Sequence, residues 1–257
     1  MRKLSLALSA LLLLAPAVSF AGDITFPHVA TGPHYVTELK ITNHDLASAG
    51  VSLVYFTPEG RLADFSPDGA SFISIPPQAT AVVKLKRGSQ NKSGWVRAQS
   101  SAAVSGLLQI SYLAGPATSS MTSFDNLRPF AVARISGDND LARRTGFAVC
   151  NPNNLDLTLD LELFSKTGQS VGKVVWTLAR LEQRARYIDE LGVPGAHSVE
   201  ISSRSGLFSA LSVAQTATEM ITNPAEEVLQ KRFVMQQEKM DLPFKAFQVR
   251  VRGHLAV

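Results

Sequence analysis

The chain has 257 residues, 18% of them charged, a formal net charge of +4 and one cysteine. A single cysteine, Cys150, excludes an intrachain disulfide framework, so stability has to come from buried cores, which units near 100 residues can supply. The charge argues against a nucleic-acid binder: Arg2, Lys3 and the stretch after Asn223 carry all of it, leaving residues 22–223 neutral overall.

Residues 1–21 follow the grammar of an export signal. Arg2 and Lys3 open it, an apolar run from Leu4 to Val18 follows, and Ser19-Phe20-Ala21 offers small residues before a cleavage point at Gly22. The run is shorter than the ~20 residues of a spanning helix. No cysteine follows the cleavage point to carry a lipid. The expectation is a secreted or periplasmic protein with no membrane span once the signal is removed.

From residue 22 onward short strands alternate with turns. Thr37, Leu39 and Ile41 alternate with Glu38 and Lys40, and Val51, Leu53 and Tyr55 continue the pattern after the Asn43-His44-Asp45 turn. Leu155, Leu157, Leu159, Leu161 and Leu163 alternate with polar residues after Asn151-Pro152-Asn153-Asn154. Period two with one apolar face predicts antiparallel sheets packed face to face. The stretch 116–127 is small and polar and reads as a linker, or else as a long loop within one continuous structure.

After residue 222 the pattern changes. Asn223-Pro224-Ala225-Glu226 has the chemistry of a helix start, predicting a helix to about Met240 with Leu229 and Phe233 on one side. Phe247 to Arg252 alternates like an edge strand. This tail either packs on the second unit or docks a partner.

The two halves are diverged copies. A shift of 108 residues carries Asn43, Leu53, Phe56 and Gly60 onto Asn151, Leu161, Phe164 and Gly168. A shift of 103 carries Leu85, Val96, Ser100, Val104, Leu108 and Ile110 onto Ile188, Val199, Ser203, Leu207, Leu211 and Val213. The change of shift falls at Ser66-Pro67-Asp68-Gly69-Ala70, a turn where insertion is tolerated. The fold expected is all-β: two tandem immunoglobulin-like antiparallel β-sandwich domains of about seven strands, with a short C-terminal helix and strand. The boundaries are 22–115 and 128–222 for the repeats and 223–257 for the tail.

Candidate chemistry is sparse. Gly168-Gln169-Ser170-Val171-Gly172 matches the nucleophile elbow of serine hydrolases, with Asp189 and His197 following in order. An elbow needs a helix after the serine, whereas Lys173 to Thr177 reads as a returning strand. A hairpin turn explains the glycines better. His28, His34, His44 and Asp45 lack tight metal-ligand spacing. Asp138-Asn139-Asp140 lacks the distal acid of a calcium loop. The reading is therefore no catalytic, metal or cofactor site. Cys150 lies on the outer face by strand parity, beside the Asn151 turn, either covered by the other unit or free. Trp95 is also outward by parity, and so either covered by a neighbour or a contact residue. Trp95, Cys150, Leu229 and Phe233 are the candidate contact residues.

The order of features resembles a known arrangement. An Asn-containing turn follows the second strand, then come Phe-x-x-x-Gly, Ile75-Pro76-Pro77, Gly94-Trp95-Val96-Arg97 and Ser100-Ser101-x-x-Val104-Ser105-Gly106. This resembles the uncharacterised β-sandwich repeats found in tandem in secreted bacterial proteins. The likeness covers most of residues 25–217 and is clearer in the first copy. It implies an extracytoplasmic, non-enzymatic accessory or surface role, and the leading expectation is binding, adhesion or envelope assembly, with an envelope protein or surface polysaccharide as partner. The alternatives are a small secreted serine hydrolase using Ser170 and a structural subunit docking through its tail.

Overall fold

The computed structural model describes residues 22–65, 71–113, 118–124, 129–137, 143–216, 220–223 and 225–228. The first half contains β1 (Ile24–Thr31), β2 (Tyr35–Asn43), β3 (Ala49–Phe56), β4 (Phe72–Ile75), β5 (Thr80–Lys84), β6 (Lys92–Ser100), β7 (Val104–Leu113) and β8 (Thr118–Phe124). The second contains β9 (Val132–Ile135), β10 (Arg144–Cys150), β11 (Leu157–Phe164), β12 (Ser170–Leu178) and β13 (Gln183–Tyr187). A short 3-10 turn at Ile188–Leu191 leads to β14 (Ser198–Ser203), β15 (Ser209–Gln215), β16 (Met220–Asn223) and β17 (Ala225–Glu227). The fold is all-β. Among the described residues no helix is long and apolar enough to cross a membrane.

Four antiparallel sheets result. Sheet A has the order β1-β6-β3-β4 and sheet B the order β5-β2-β7-β8. Sheet C, β17-β9-β14-β11-β12, and sheet D, β13-β10-β15-β16, repeat those orders strand for strand with β17 added at one edge. The alternation seen in sequence drives the pairing. Leu39 and Ile41 of β2 face Val51, Leu53 and Val96 of sheet A in one core. Leu157, Leu159, Leu161 and Leu163 of β11 meet Phe147 and Val149 of β10 in the other.

The copies also share an anchor that unites the two sequence shifts. Asn43 donates from Nδ2 to Ala47 O, Ile75 O and Pro76 O, at 2.7, 3.2 and 3.0 Å, while Oδ1 accepts from Asp45 N. Asn151 donates to Leu155 O, Leu178 O and Ala179 O, at 2.8, 3.3 and 3.0 Å, and accepts from Asn153 N. Both side chains are fully buried. Each ties the loop after its own strand to the end of β4 or β12.

Four sequence expectations change. The expected linker contains a strand: β8 pairs with β7 from Leu108↔Phe124 to Leu113↔Thr118, because its serines and threonines suit an edge as well as a linker. The expected helix start is also strand. β17 pairs with β9 through Ala225↔Ile135 and Glu227↔Ala133, so the free edge of β9 outweighs the capping pattern. Leu229, Phe233 and the remainder of the tail lie outside the described residues, as do the export signal and Asp138-Asn139-Asp140. Leu155 stands before β11 and is 78% exposed, so the alternating run starts at Leu157.

The fourth change is one of register. Leu39 pairs with Leu108, but its counterpart Phe147 pairs with Ser212, so β7 maps onto β15 with a shift of 104. The second copy has one more residue in the β14–β15 turn, where Gly206 adopts φ 71°. A one-residue slip turns every side chain to the other face. Leu211 and Val213 are consequently outward in sheet D, and they pack with the core of the first half.

The anchor makes a prediction. Asn43→Ala and Asn151→Ala should each cost about 2–3 kcal/mol by leaving buried carbonyls unpaired. Asn→Asp at either place removes the N–H donors and should cost at least as much. Urea unfolding midpoints check this, and midpoints unchanged from wild type would remove the anchor role.

Candidate functional site

The central strands of sheet D, β10 and β15, are covered on both faces. One face closes the second core; across the other runs β1, the edge strand of sheet A, with Ala148, Leu211 and Met220 joining the core of the first half. Outward positions on β10 are Gly146, Ala148 and Cys150, small enough for a strand to lie on them. β10 is apolar from Gly146 to Cys150, unlike the alternating β2, and a strand apolar at both parities is one with two buried faces.

Trp95 and Cys150 meet in this interface. Both are fully buried, and they cluster with Phe56, Val54 and Leu181. The Trp95 indole stacks on Phe56 at 4.3 Å between centroids, and its Nε1 donates to Leu181 O at 2.8 Å. Arg97 lies over the same indole and donates to Pro152 O. Parity is right for both residues, but the surface they contact is the other half of the same chain. Neither is available to an outside partner. Burial pushes the Cys150 thiol well above its ordinary range, the reverse of what a nucleophile needs. Gly94 is required beside Trp95, because a Cβ there would strike Phe56 O and Phe65.

Gln183 is the polar centre of the interface. Its Nε2 lies 2.8 Å from Pro27 O, 2.8 Å from His28 Nδ1 and 3.1 Å from Gly94 O, and its backbone N donates to Pro58 O. All these partners belong to the first half. His28 accepts this bond, and burial lowers its pKa from 6.5 to about 4.

Beside Gln183 the two halves enclose a cavity of about 330 Å³. Its floor is largely apolar, with Ile110, Ala148, Leu211, Val213 and Met220. Tyrosines stand on both walls. Tyr35 packs against Tyr112 with tilted rings 5.5 Å apart on the first half, and Tyr187 lines the cavity from the second. Tyr187 donates to Gln215 Oε1 at 2.8 Å. Burial, with the neighbouring Tyr112 and Tyr187, raises the pKa of Tyr35, which also hydrogen-bonds Gln215. Arg144 lies 3.8 Å over the Tyr187 ring and pairs with Asp189 and Glu190 at 2.9 and 3.3 Å. Tyr35 and Tyr187, one from each half, thus line one groove, with Tyr112 in ring contact with Tyr35. Nothing in their sequence spacing announces it.

The remaining sequence candidates are dispersed. Ser170 begins β12 in the β11–β12 hairpin, opposite Phe164. Asp189 is committed to Arg144, and among the described residues no hydrogen bond joins Ser170 to Asp189 or His197. His34 Nδ1 approaches Leu113 O, and His44 Nε2 bonds Ser105 Oγ. Among the described residues no group of three potential ligands could hold a metal ion.

The interface gives two predictions. Ellman's reagent should label Cys150 only as fast as the halves separate, and fully in urea; prompt labelling of the folded protein would contradict its burial. Folded His28 resists protonation, so its contribution to stability is present above pH 6.5 and lost as pH falls from 6.5 toward 4. His28→Gln should flatten that part of the pH profile of the denaturation midpoint.

Comparison with models of known protein families found no match to the chain, and comparison with curated proteins found no similar sequence.

Proposed function

We propose that the chain is an exported, non-catalytic binding protein of two tandem immunoglobulin-like repeats, with the groove between them as its binding face. One observation carries the reading: Tyr35 of the first half and Tyr187 of the second line a mostly apolar cavity that exists only because the halves are joined. Tyrosine offers a large rigid surface with a polar tip, and pockets with apolar floors and a few placed polar groups are the usual form of small-ligand sites. Export rests on the leader grammar of residues 1–21 and on the resemblance to secreted tandem repeats. The non-catalytic reading is supported by a Ser170 set in a hairpin and an Asp189 held by an arginine. An envelope component remains the source of the ligand in this reading.

The alternative of a subunit docking through its tail is less favoured, because the described start of the tail, β17, completes sheet C.

Thermal melting with fractionated envelope extract tests the proposal. A fraction present at about 100 times its Kd should stabilise the exported protein by about 2.7 kcal/mol. Val213→Trp, which fills the groove, should abolish that shift. If no fraction raises the melting temperature, or if the filled variant responds equally, the groove is not the binding face.

A further inference from the structure

The groove has a charge pattern as well as a shape. Lys92 stands at its rim on the first half and Arg186 on the second, both exposed. Among the described residues, no carboxylate lies within ion-pair distance of either; Arg186 spends one donor on Ala185 O at 2.9 Å. The rim's own carboxylate, Glu190, is already engaged, accepting from Arg144 at 3.3 Å and from Tyr187 N at 3.2 Å. Two uncommitted cations therefore face the mouth of a cavity whose floor is aliphatic.

From this we infer that the groove takes a small apolar carboxylic acid, its hydrocarbon body on Ile110, Ala148, Leu211, Val213 and Met220 and its carboxylate between Lys92 and Arg186. The inference rests on the groove being the binding face and adds the ligand class. An aliphatic floor offers a saccharide ring few partners for its hydroxyls, and burying them unpaired would be costly. A chain or single ring meets no such penalty and gains with each buried methylene. A cavity of about 330 Å³ lies at the lower end of ligand pockets, about 300–1,000 Å³, which limits the body to a medium-length chain or one ring system. The anionic head answers the rim, since an exposed cation pair contributes most where the ligand's opposite charge is held between them. Because the cations come from different halves, the ligand would also bridge the halves that form its site.

Titration calorimetry with sodium decanoate, n-decanol and sodium acetate tests the idea on the exported protein, its Lys92→Ser/Arg186→Ser double variant and Val213→Trp. Decanoate should bind with one-to-one stoichiometry, tenfold or more weaker in the double variant and undetectably in Val213→Trp. Decanol should bind the wild type and the double variant alike, and acetate neither. Both rim residues are exposed, so the double variant should keep the wild-type circular dichroism and melting temperature. Absence of saturable decanoate binding would overturn the inference, as would equal affinity in the double variant or retained binding in Val213→Trp. Its failure is separable from that of the groove itself. An envelope fraction free of apolar acids that still stabilises wild type but not Val213→Trp keeps the groove and removes this ligand class.

Discussion

The structure depends on one close approach: β1 of the first half against β10 and β15 of the second, with Ala148 and Leu211 joining the core of the first half. Small outward side chains on a central strand let another strand come down onto the sheet and bury apolar area on both faces. Everything proposed about function follows from that approach. The approach brings Gln183 to His28 and Gly94, covers Trp95, and leaves the remaining gap between the halves as the groove. A looser contact would place Tyr35 and Tyr187 on unrelated surfaces.

Polar groups fix the register of this apolar contact. Apolar area alone is non-directional and would tolerate sliding. Gln183 cannot slide without leaving its buried amide and Pro27 O unpaired, and Trp95 Nε1 and Leu181 O stand in the same position. Replacing Trp95 by Ala would remove both the indole stack and that bond, a loss on the order of 3–5 kcal/mol for a buried aromatic. The two halves thus behave as one body with two cores rather than as beads on a linker, and β8, in place of a linker, tightens the join where Met220 N donates to Ser120 Oγ.

Much of the fold was legible because each core needs only one apolar face per strand, which period two states openly in β2, β3 and β11. The two copies were legible for the same reason, since the Asn43 and Asn151 loops repeat a chemistry that few other residues provide. The third register was not, because one added turn residue at Gly206 exchanges the faces of β15 while leaving its composition unchanged. The groove was hidden for a different reason. Its residues come from β1, β2, β6, β7, β10, β13, β15 and β16, and only the packing of halves assembles them. One signal was available: the outward positions of β10 lack the charges that Glu38 and Lys40 place on β2.

That difference shows how one fold can be turned to two purposes. Glu38 stands where the second copy has Gly146, and Lys40 where it has Ala148, by the shift that relates Leu39 to Phe147. On sheet B these charges pair with Lys84 and hydrogen-bond Gln109, at 3.1 and 3.0 Å, and the face is built for water. Tyr187 and Val213 occupy the corresponding places on sheet D and form the groove. The reciprocal surface has diverged in step. Phe56 and Trp95 stack beneath the other half, whereas their counterparts are Phe164, covered by Arg134, and Ser198. An aromatic pair stands where the other half covers it; at the corresponding place in the second half a phenylalanine under Arg134 stands beside a serine. The two halves therefore agree in the inward apolar residues of β2 and β10 and of β3 and β11, and differ in the outward ones. The groove lies where the outward positions of sheet D face the first half.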